Sequence, residues 1–187
     1  MIETLPISVE INDKCLAIRN KCDYRVVLDV ISALNDNELS EQEKLKCALY
    51  VFYEDIEKVE DFETIETAAK EMMRIINNGE EETEQDKAPK PQLMNWEHDF
   101  KVLVAPLNRV LSCEIRTVEY LHWWTFLAGY MEIGECLFSN IISIRKKKMS
   151  GKKLEQWEQE FYRENKKLVD LPQNLTEEEK EWLDSDW

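Results

Sequence analysis

The chain has 187 residues, with 39 acidic and 24 basic side chains and a formal net charge of −15. This length suits one domain with a real core, and 43% hydrophobic residues exclude a chain that is disordered throughout. Four glycines and five prolines are too few for a collagen-like chain or an all-β sandwich, and the acidity disfavours binding to DNA or RNA.

Residues 5–19 predict a small β-hairpin, because apolar residues alternate with polar ones on both sides of a turn pair. Asn12 and Asp13 suit that turn, since both tolerate a positive φ. An isolated hairpin is marginally stable and its edges are unpaired. We therefore expect the hairpin to pack against helices or against another chain, and to lie at a subunit contact.

The chain after Lys21 predicts helices. Asp23 suits the N-cap of a first helix, and Ser40 with Glu43 forms a capping box that opens a second. A third helix is expected from about Phe62, with residues 77–79 (Asn-Asn-Gly) as its left-handed stop. Residues 80–92 hold no large apolar side chain and two prolines, and predict an acidic loop within one bundle.

The second half of the chain predicts four more helices. A fourth covers residues 96–110, and Pro106 inside it is expected to kink it or end it early. Thr117 with Tyr120 is expected to open the fifth, residues 138–144 lie in the sixth, and Ser150 is expected to open a seventh that continues to Leu168. The tail carries a last capping box at residues 176–179.

These elements predict a mainly α-helical fold. We expect a helical bundle of about six to seven helices with a small N-terminal β-hairpin. The predicted segments are a hairpin at 1–20, a helical domain at 21–172 with its acidic loop at 80–92, and an acidic tail at 173–187.

The sequence offers no set of catalytic residues. It contains no HExxH, GxSxG, GxGxxG or phosphate-binding loop motif, and no zinc spacing includes His98 or His122. His122 lies opposite the aromatic stripe of the fifth helix, and we interpret it as a surface or second-face residue rather than a ligand. We therefore expect no enzyme, no catalytic or metal-binding residue and no cofactor.

Five scattered cysteines without a CxxC motif are typical of reduced thiols in a cytosolic protein. The N-terminus lacks the charged and apolar regions of a signal peptide, and no apolar run approaches the ~20 residues of a membrane span. We expect a cytoplasmic protein with no membrane contact.

A basic run lies at residues 145–153. It holds Arg145, Lys146, Lys147 and Lys148, followed by two further lysines, and no acidic residue. It could bind an anion or nucleic acid, or it could end the sixth helix, whose dipole favours cations there. A third interpretation is self-association, with the run meeting an acidic stretch of a neighbouring subunit.

Six tryptophans are several-fold more than is usual for this length, and Trp123 and Trp124 are adjacent. Their directions on a helix differ by about 100°, so both fit a core only if the apolar stripe is broad. Alternatively, one ring lines a groove for a partner helix. The predicted partner-binding residues are Tyr120, Trp123, Trp124, Tyr130 and Met131, together with the four basic residues 145–148.

Several segments resemble the phage protein family named gene-product-fifteen. These are residues 4–6 (Thr-Leu-Pro), 9–13, 17–20 and 23–28, and above all 118–127, which contains Glu-Tyr-Leu-His-Trp-Trp. The resemblance covers about residues 4–168 and leaves out the acidic tail. The chain departs from the family at Asp13 and Leu16, where a glycine and a tyrosine are usual.

The resemblance implies a protein of a tailed phage or prophage with a long non-contractile tail. Such proteins are encoded between the major tail protein and the tape measure protein, and are thought to be non-enzymatic tail assembly chaperones. The expected partner is the tape measure protein or another phage tail protein, in the host cytoplasm, with the chain acting as a homo-oligomer. The alternatives are a nucleic-acid-associated or regulatory protein that uses residues 145–153, and a minor structural tail component.

Overall fold

The computed structural model describes residues 4–80 and 92–172 of the chain. These residues form a two-stranded sheet and eight α-helices, which confirms the predicted mainly α-helical fold with an N-terminal hairpin. The elements are β1 (Ser8–Ile11), β2 (Lys14–Ala17), α1 (Tyr24–Leu34), α2 (Glu41–Phe52), α3 (Phe62–Ile76), α4 (Trp96–Leu111), α5 (Trp123–Met131), α6 (Leu137–Met149), α7 (Gln156–Glu164) and α8 (Lys166–Val169).

The described chain divides into two compact units. The first, unit A, contains residues 4–80 and 118–128, and therefore holds the hairpin, α1 to α3 and the first part of α5. The second, unit B, contains residues 92–117 and 129–172, with α4, the end of α5 and α6 to α8.

The hairpin of unit A forms as the alternation predicts. β1 and β2 pair in antiparallel fashion, with Val9 opposite Leu16 and Ile11 opposite Lys14. Asn12 and Asp13 have φ angles of 48° and 61°, which are the left-handed values that a two-residue hairpin turn requires. Val9, Ile11 and Leu16 are buried, so one face of the hairpin contributes to the core.

The predicted caps of α1 to α3 are present. Asp23 accepts a hydrogen bond from the Arg25 backbone N–H (3.0 Å), and Ser40 and Glu43 form a reciprocal capping box. After α3 the chain turns through Asn78 and Gly79, whose φ angles are 59° and 87°, and the Gly79 N–H reaches back to the Arg74 carbonyl (2.8 Å). Local sequence therefore determines where these helices begin and end.

Unit B has its own small core. Ile141 and Ile144 of α6 and Val169 of α8 are fully buried, with partly buried apolar residues of α4, α7 and α8 packed against them. α4 continues through Pro106 to Leu111, so of the two expected effects of this proline, a kink or an early end, the early end is wrong.

Three further expectations are corrected. α5 begins at Trp123, so Thr117 and Tyr120 do not open it. Ser150 is the C-cap of α6 and does not open a helix; the predicted seventh helix is instead two, α7 and α8, which are separated at Asn165. The predicted capping box at 176–179, the tail and nearly all of the loop at 80–92 lie outside the described residues. No helix among those described is long and apolar enough to cross a membrane.

Candidate partner-binding surface

The N-terminus of α5 is capped by His122. Its imidazole Nδ1 accepts a hydrogen bond from the Trp124 backbone N–H (3.0 Å), and Nε2 lies 3.0 Å from the Pro6 carbonyl oxygen. Because a backbone N–H only donates and a carbonyl only accepts, these two neighbours select the neutral tautomer with its proton on Nε2. His122 is buried, and burial lowers its pKa. Of the two interpretations of His122, a surface residue or a second-face residue, the surface one is therefore wrong.

Asp23 joins the start of α1 to the segment that precedes α5. Besides capping α1, its carboxylate accepts the Leu121 N–H (2.9 Å) and contacts the Arg25 guanidinium at 3.1 Å. The Tyr24 N–H donates to the Leu121 carbonyl (2.9 Å), and Arg25 reaches the Val118 carbonyl (2.7 Å). Since Asp23 is buried, the bonds that its carboxylate accepts from Arg25 and Leu121 compensate for the loss of water around its charge.

Two more contacts extend this junction. The Trp123 N–H donates to the Cys22 carbonyl (2.8 Å), and the Tyr120 hydroxyl donates to the Lys21 carbonyl (3.0 Å). The structure thus brings together residues 21–25 and 118–124, and residues 23–25 and 118–124 belong to the two longest segments that carry the family resemblance. These contacts hold unit A together across nearly a hundred residues of sequence.

The adjacent tryptophans both bind the end of α3. The Trp123 indole Nε1–H donates to the Ile76 carbonyl (2.9 Å), and that of Trp124 donates to the Ile75 carbonyl (2.8 Å). Carbonyls at a helix C-terminus have no partner within the helix, so the two indoles satisfy them. Trp123 is fully buried and stacks on Phe126, which also stacks on Tyr24.

The buried face of α5 is rotated relative to the predicted one. Within this helix and its cap, the residues buried in unit A are His122, Trp123 and Phe126, whereas Trp124 is half-buried. The apolar set that the sequence predicts for this helix contains Trp124 and Leu127 but not Phe126; its members are Tyr120, Trp123, Trp124, Leu127, Tyr130 and Met131. Positions 122, 126 and 129 mark the buried face of the helix. The apolar pattern does not reveal this face, because two of the three residues are a histidine and a glycine.

Tyr130 and Met131 belong to unit B. The Tyr130 hydroxyl donates to the Met94 sulfur (3.3 Å), and its ring lies 5.3 Å from that of Trp96 and 6.0 Å from that of Phe138. Burial raises the pKa of Tyr130, which therefore stays protonated. Met131 is 66% exposed, so of these two predicted residues only Met131 presents most of its surface to a partner.

Arg145 lies inside unit B. Its guanidinium forms a bidentate ion pair with Asp99 at 2.7 and 2.8 Å, and it donates to the carbonyls of Leu93 (3.0 Å), Leu168 (3.1 Å) and Val169. Asp99 is fully buried and Arg145 nearly so. Arg145 therefore links α4, α6 and α8, and it is not part of an exposed basic patch.

The lysines of the run differ in their surroundings. Lys147 donates to the buried Glu158 (2.7 and 2.8 Å), a hydrogen bond that raises the pKa of the lysine. Lys148 donates to Asp170 (2.6 Å) and lies 3.7 Å from the centre of the Tyr162 ring. Lys146 is exposed, without an ion pair to any residue in the described ranges.

Other large apolar side chains are exposed that were not among the predicted partner-binding residues. Phe62, at the first position of α3, is 77% exposed. The remainder of this set is Leu5, Ile7, Leu45 and Tyr50 in unit A and Leu137, Met149 and Trp157 in unit B. Tyr120 adds to the exposed apolar residues of unit A, and Met131 adds to those of unit B.

No group of three or more His, Cys, Asp or Glu side chains in residues 4–80 and 92–172 is arranged to hold a metal ion. A family model described as Bacteriophage Gp15 protein matches residues 1–171. No curated protein and no solved structure matches the chain.

Proposed function

Because this chain belongs to the bacteriophage Gp15 protein family, we propose that it is a tail assembly chaperone. In this role it binds the helical tape measure protein in the host cytoplasm, without catalysis, until the tail tube encloses its client. The family match over residues 1–171 is the observation that carries this proposal. The described surface supplies two further supports.

The first support is the set of exposed apolar side chains. Long helical proteins that await assembly expose apolar stripes, and grooves that hold such helices are lined by aromatic and Met side chains. Phe62 and Tyr120 of unit A, and Met131 and Trp157 of unit B, are exposed residues of this kind. Isolated exposed apolar residues are ordinary, so the support comes from each unit presenting several of them.

The second support is the charge. The described residues of unit A contain 18 acidic and nine basic side chains, whereas those of unit B contain ten and twelve. An excess of one sign keeps protein surfaces apart and raises solubility. A strongly acidic chaperone can therefore keep an otherwise aggregating client in solution.

Co-expression with the tape measure protein tests the proposal. The tagged chain should capture the tape measure protein in a soluble complex, and Phe62→Asp or Met131→Asp should weaken capture without changing the melting temperature by more than a few degrees. Thr125→Asp is the matched control, because it adds the same charge at an exposed position of α5. Trp123→Ala is unsuitable, since Trp123 is part of the core.

Purified phage tails separate this role from that of a minor structural component. A chaperone leaves before the tail is complete, so mass spectrometry should detect the tape measure protein and not this chain. Stoichiometric presence in tails, or a tape measure protein that stays soluble and never co-purifies, would contradict the proposal. The nucleic-acid alternative gains no support from residues 145–148, because three of these four cations bind carboxylates of their own unit.

A further inference from the structure

The two outer edges of the hairpin differ. Along β2 the edge is closed, because the Glu54 N–H donates to the Ala17 carbonyl (2.9 Å) and Ile18 forms a bridge with Tyr53. The Arg19 guanidinium binds the carbonyls of residues 50, 51 and 53 at 2.9 to 3.1 Å, which holds this closing segment in place. No further strand can pair along the part of β2 that this segment covers.

The outer edge of β1 is open. In an antiparallel ladder the residues of one strand point their backbone groups alternately to the two sides. Ile18 donates to the Ile7 carbonyl (2.9 Å), so residues 7, 9 and 11 face β2, and Ser8 and Glu10 face outward. Among residues 4–80 and 92–172, no partner binds the backbone groups of Ser8 or Glu10, and both residues are exposed. The open edge ends at Pro6, whose carbonyl binds His122.

We propose that this edge pairs with the same edge of a second copy of the chain. The pairing is antiparallel about a two-fold axis at Val9, so that Ser8 of each copy lies opposite Glu10 of the other. This register forms four backbone hydrogen bonds, and it satisfies every outward donor and acceptor of β1. A closed two-fold dimer leaves no open edge on which a third copy can add.

Other two-fold registers satisfy fewer groups. A shift that places Ser8 on the axis brings Glu10 opposite Pro6, which has no N–H and whose carbonyl is already bound. The opposite shift places the two Glu10 side chains directly across from each other, where like charges repel. The register centred on Val9 avoids both penalties, and this complementarity identifies a second copy as the occupant.

The same register covers an exposed apolar side chain. Ile7 is 49% exposed, although it lies on the same face of the strand as the buried Val9 and Ile11. In the dimer, Ile7 lies opposite Ile11 of the second copy in a non-hydrogen-bonded pair, the type in which side chains approach most closely. Pairing therefore buries apolar surface as well as satisfying the backbone.

Charge changes at one side-chain position test the pairing in the full-length chain. Ser8→Glu places a carboxylate opposite Glu10 in both symmetric pairs, and should raise the dimer dissociation constant about tenfold, as measured by sedimentation velocity. Adding Glu10→Lys to Ser8→Glu should restore the wild-type constant, because the opposed charges then attract. Ala17→Glu is the matched control; it adds the same charge to the exposed face of β2, opposite Ser8 within the hairpin, and should leave the constant unchanged.

Salt provides an independent measurement. Two copies that each carry a charge of −15 repel, so a dimer held by backbone pairing should tighten as salt screens the repulsion. Weakening with salt would point to association of residues 145–153 with acidic residues of another copy, and would overturn the strand pairing. A chain that stays monomeric, or a dimer unaffected by Ser8→Glu, would overturn it as well. The proposed chaperone role is tested separately, because capture of the tape measure protein is scored whether or not the chain dimerises.

Discussion

The Arg145 guanidinium and the Asp99 carboxylate form a bidentate ion pair at 2.7 and 2.8 Å, with side-chain exposures of only 5% and 0%. The pair joins α6 to α4 in the core of unit B. Both partners have their remaining hydrogen-bonding groups satisfied by backbone atoms, among them the Asn95 N–H, which donates to Asp99 (3.0 Å). Such a pair stabilises a fold only while both charges are present.

Asp99→Ala should therefore destabilise the protein severely. Removing the carboxylate leaves a buried guanidinium without a counter-charge, which costs ~3 to 5 kcal/mol. Urea unfolding followed by circular dichroism measures the loss. Lys148→Ala is the comparison, since it removes a more exposed ion pair with Asp170 and should cost no more than ~1 kcal/mol. Equal effects of the two variants would contradict the buried role of Asp99.

His122 should make the stability of unit A depend on pH. Burial lowers its pKa below the ordinary value of 6.5, so the unfolded chain takes up a proton before the folded one does. Well above pH 6.5 the imidazole is neutral in both states, so the free energy of unfolding does not change with pH through this group. As the pH falls below 6.5, the free energy of unfolding should fall until the folded-state pKa is passed.

Replacing His122 by Asn checks this pH dependence. Asn is a good N-cap residue without a titrating group, so His122→Asn should remove this part of the loss of stability between about pH 6.5 and 5. His98→Asn leaves His122 intact, so this variant should keep the loss of stability that the wild type shows as the pH falls. Thermal melts of the three proteins across this pH range are sufficient, and identical profiles for the wild type and His122→Asn would refute the assignment.

The two tryptophans should differ in how much stability they contribute. Trp123→Ala empties a fully buried site and leaves the Ile76 carbonyl unpaired, so a loss of ~3 to 5 kcal/mol is expected. Trp124→Phe keeps much of the ring contact of this half-buried residue and removes one hydrogen bond to the Ile75 carbonyl. The expected loss of unfolding free energy is ~1 kcal/mol. Chemical denaturation of both variants measures the difference, and a reversed order would contradict the position of Trp123 in the core of unit A.

Gly129 and Leu111 should show energetic coupling. A Cβ atom at Gly129 would lie 2.9 Å from the Leu111 side chain, too close for ordinary contact, so alanine at 129 requires Leu111 to move. In a Leu111→Ala background the clash disappears, and Gly129→Ala should then stabilise α5 by up to ~1 kcal/mol through helix propensity. A double-mutant cycle isolates the coupling, and strict additivity would contradict it.

Sequence patterns predicted those features of the fold that depend on neighbouring residues. The turn at Asn12 and Asp13, the capping box of Ser40 and the stop after α3 all form within a few residues, and all are confirmed. The start of α5 was predicted wrongly because its cap is a histidine that is held by Pro6, more than a hundred residues away. Local spacing carries no signal for such a partner.

The candidate site shows the same limit. A run of four cations reads as one patch, yet Arg145 binds a buried carboxylate 46 residues earlier and only Lys146 has no ion pair within the described part of the chain. Likewise, apolar spacing cannot tell Phe62, which is exposed, from the residues of α3 that are buried. In both cases tertiary contacts decide the outcome, and whether the exposed residues bind a partner stays a prediction.

The hydrogen bonds from the two tryptophans to α3 also determine when unit A can complete its folding during synthesis. The Ile76 carbonyl cannot accept its hydrogen bond from Trp123 until the ribosome has added that residue, 47 residues later. At bacterial rates of about 5 to 20 residues per second, this interval lasts ~2 to 10 s. During this time the hairpin and α1 to α3 lack the segment that joins them. A nascent chain stalled before residue 118 should therefore be sensitive to protease, and resistance should appear once residues 118–128 have left the ribosome.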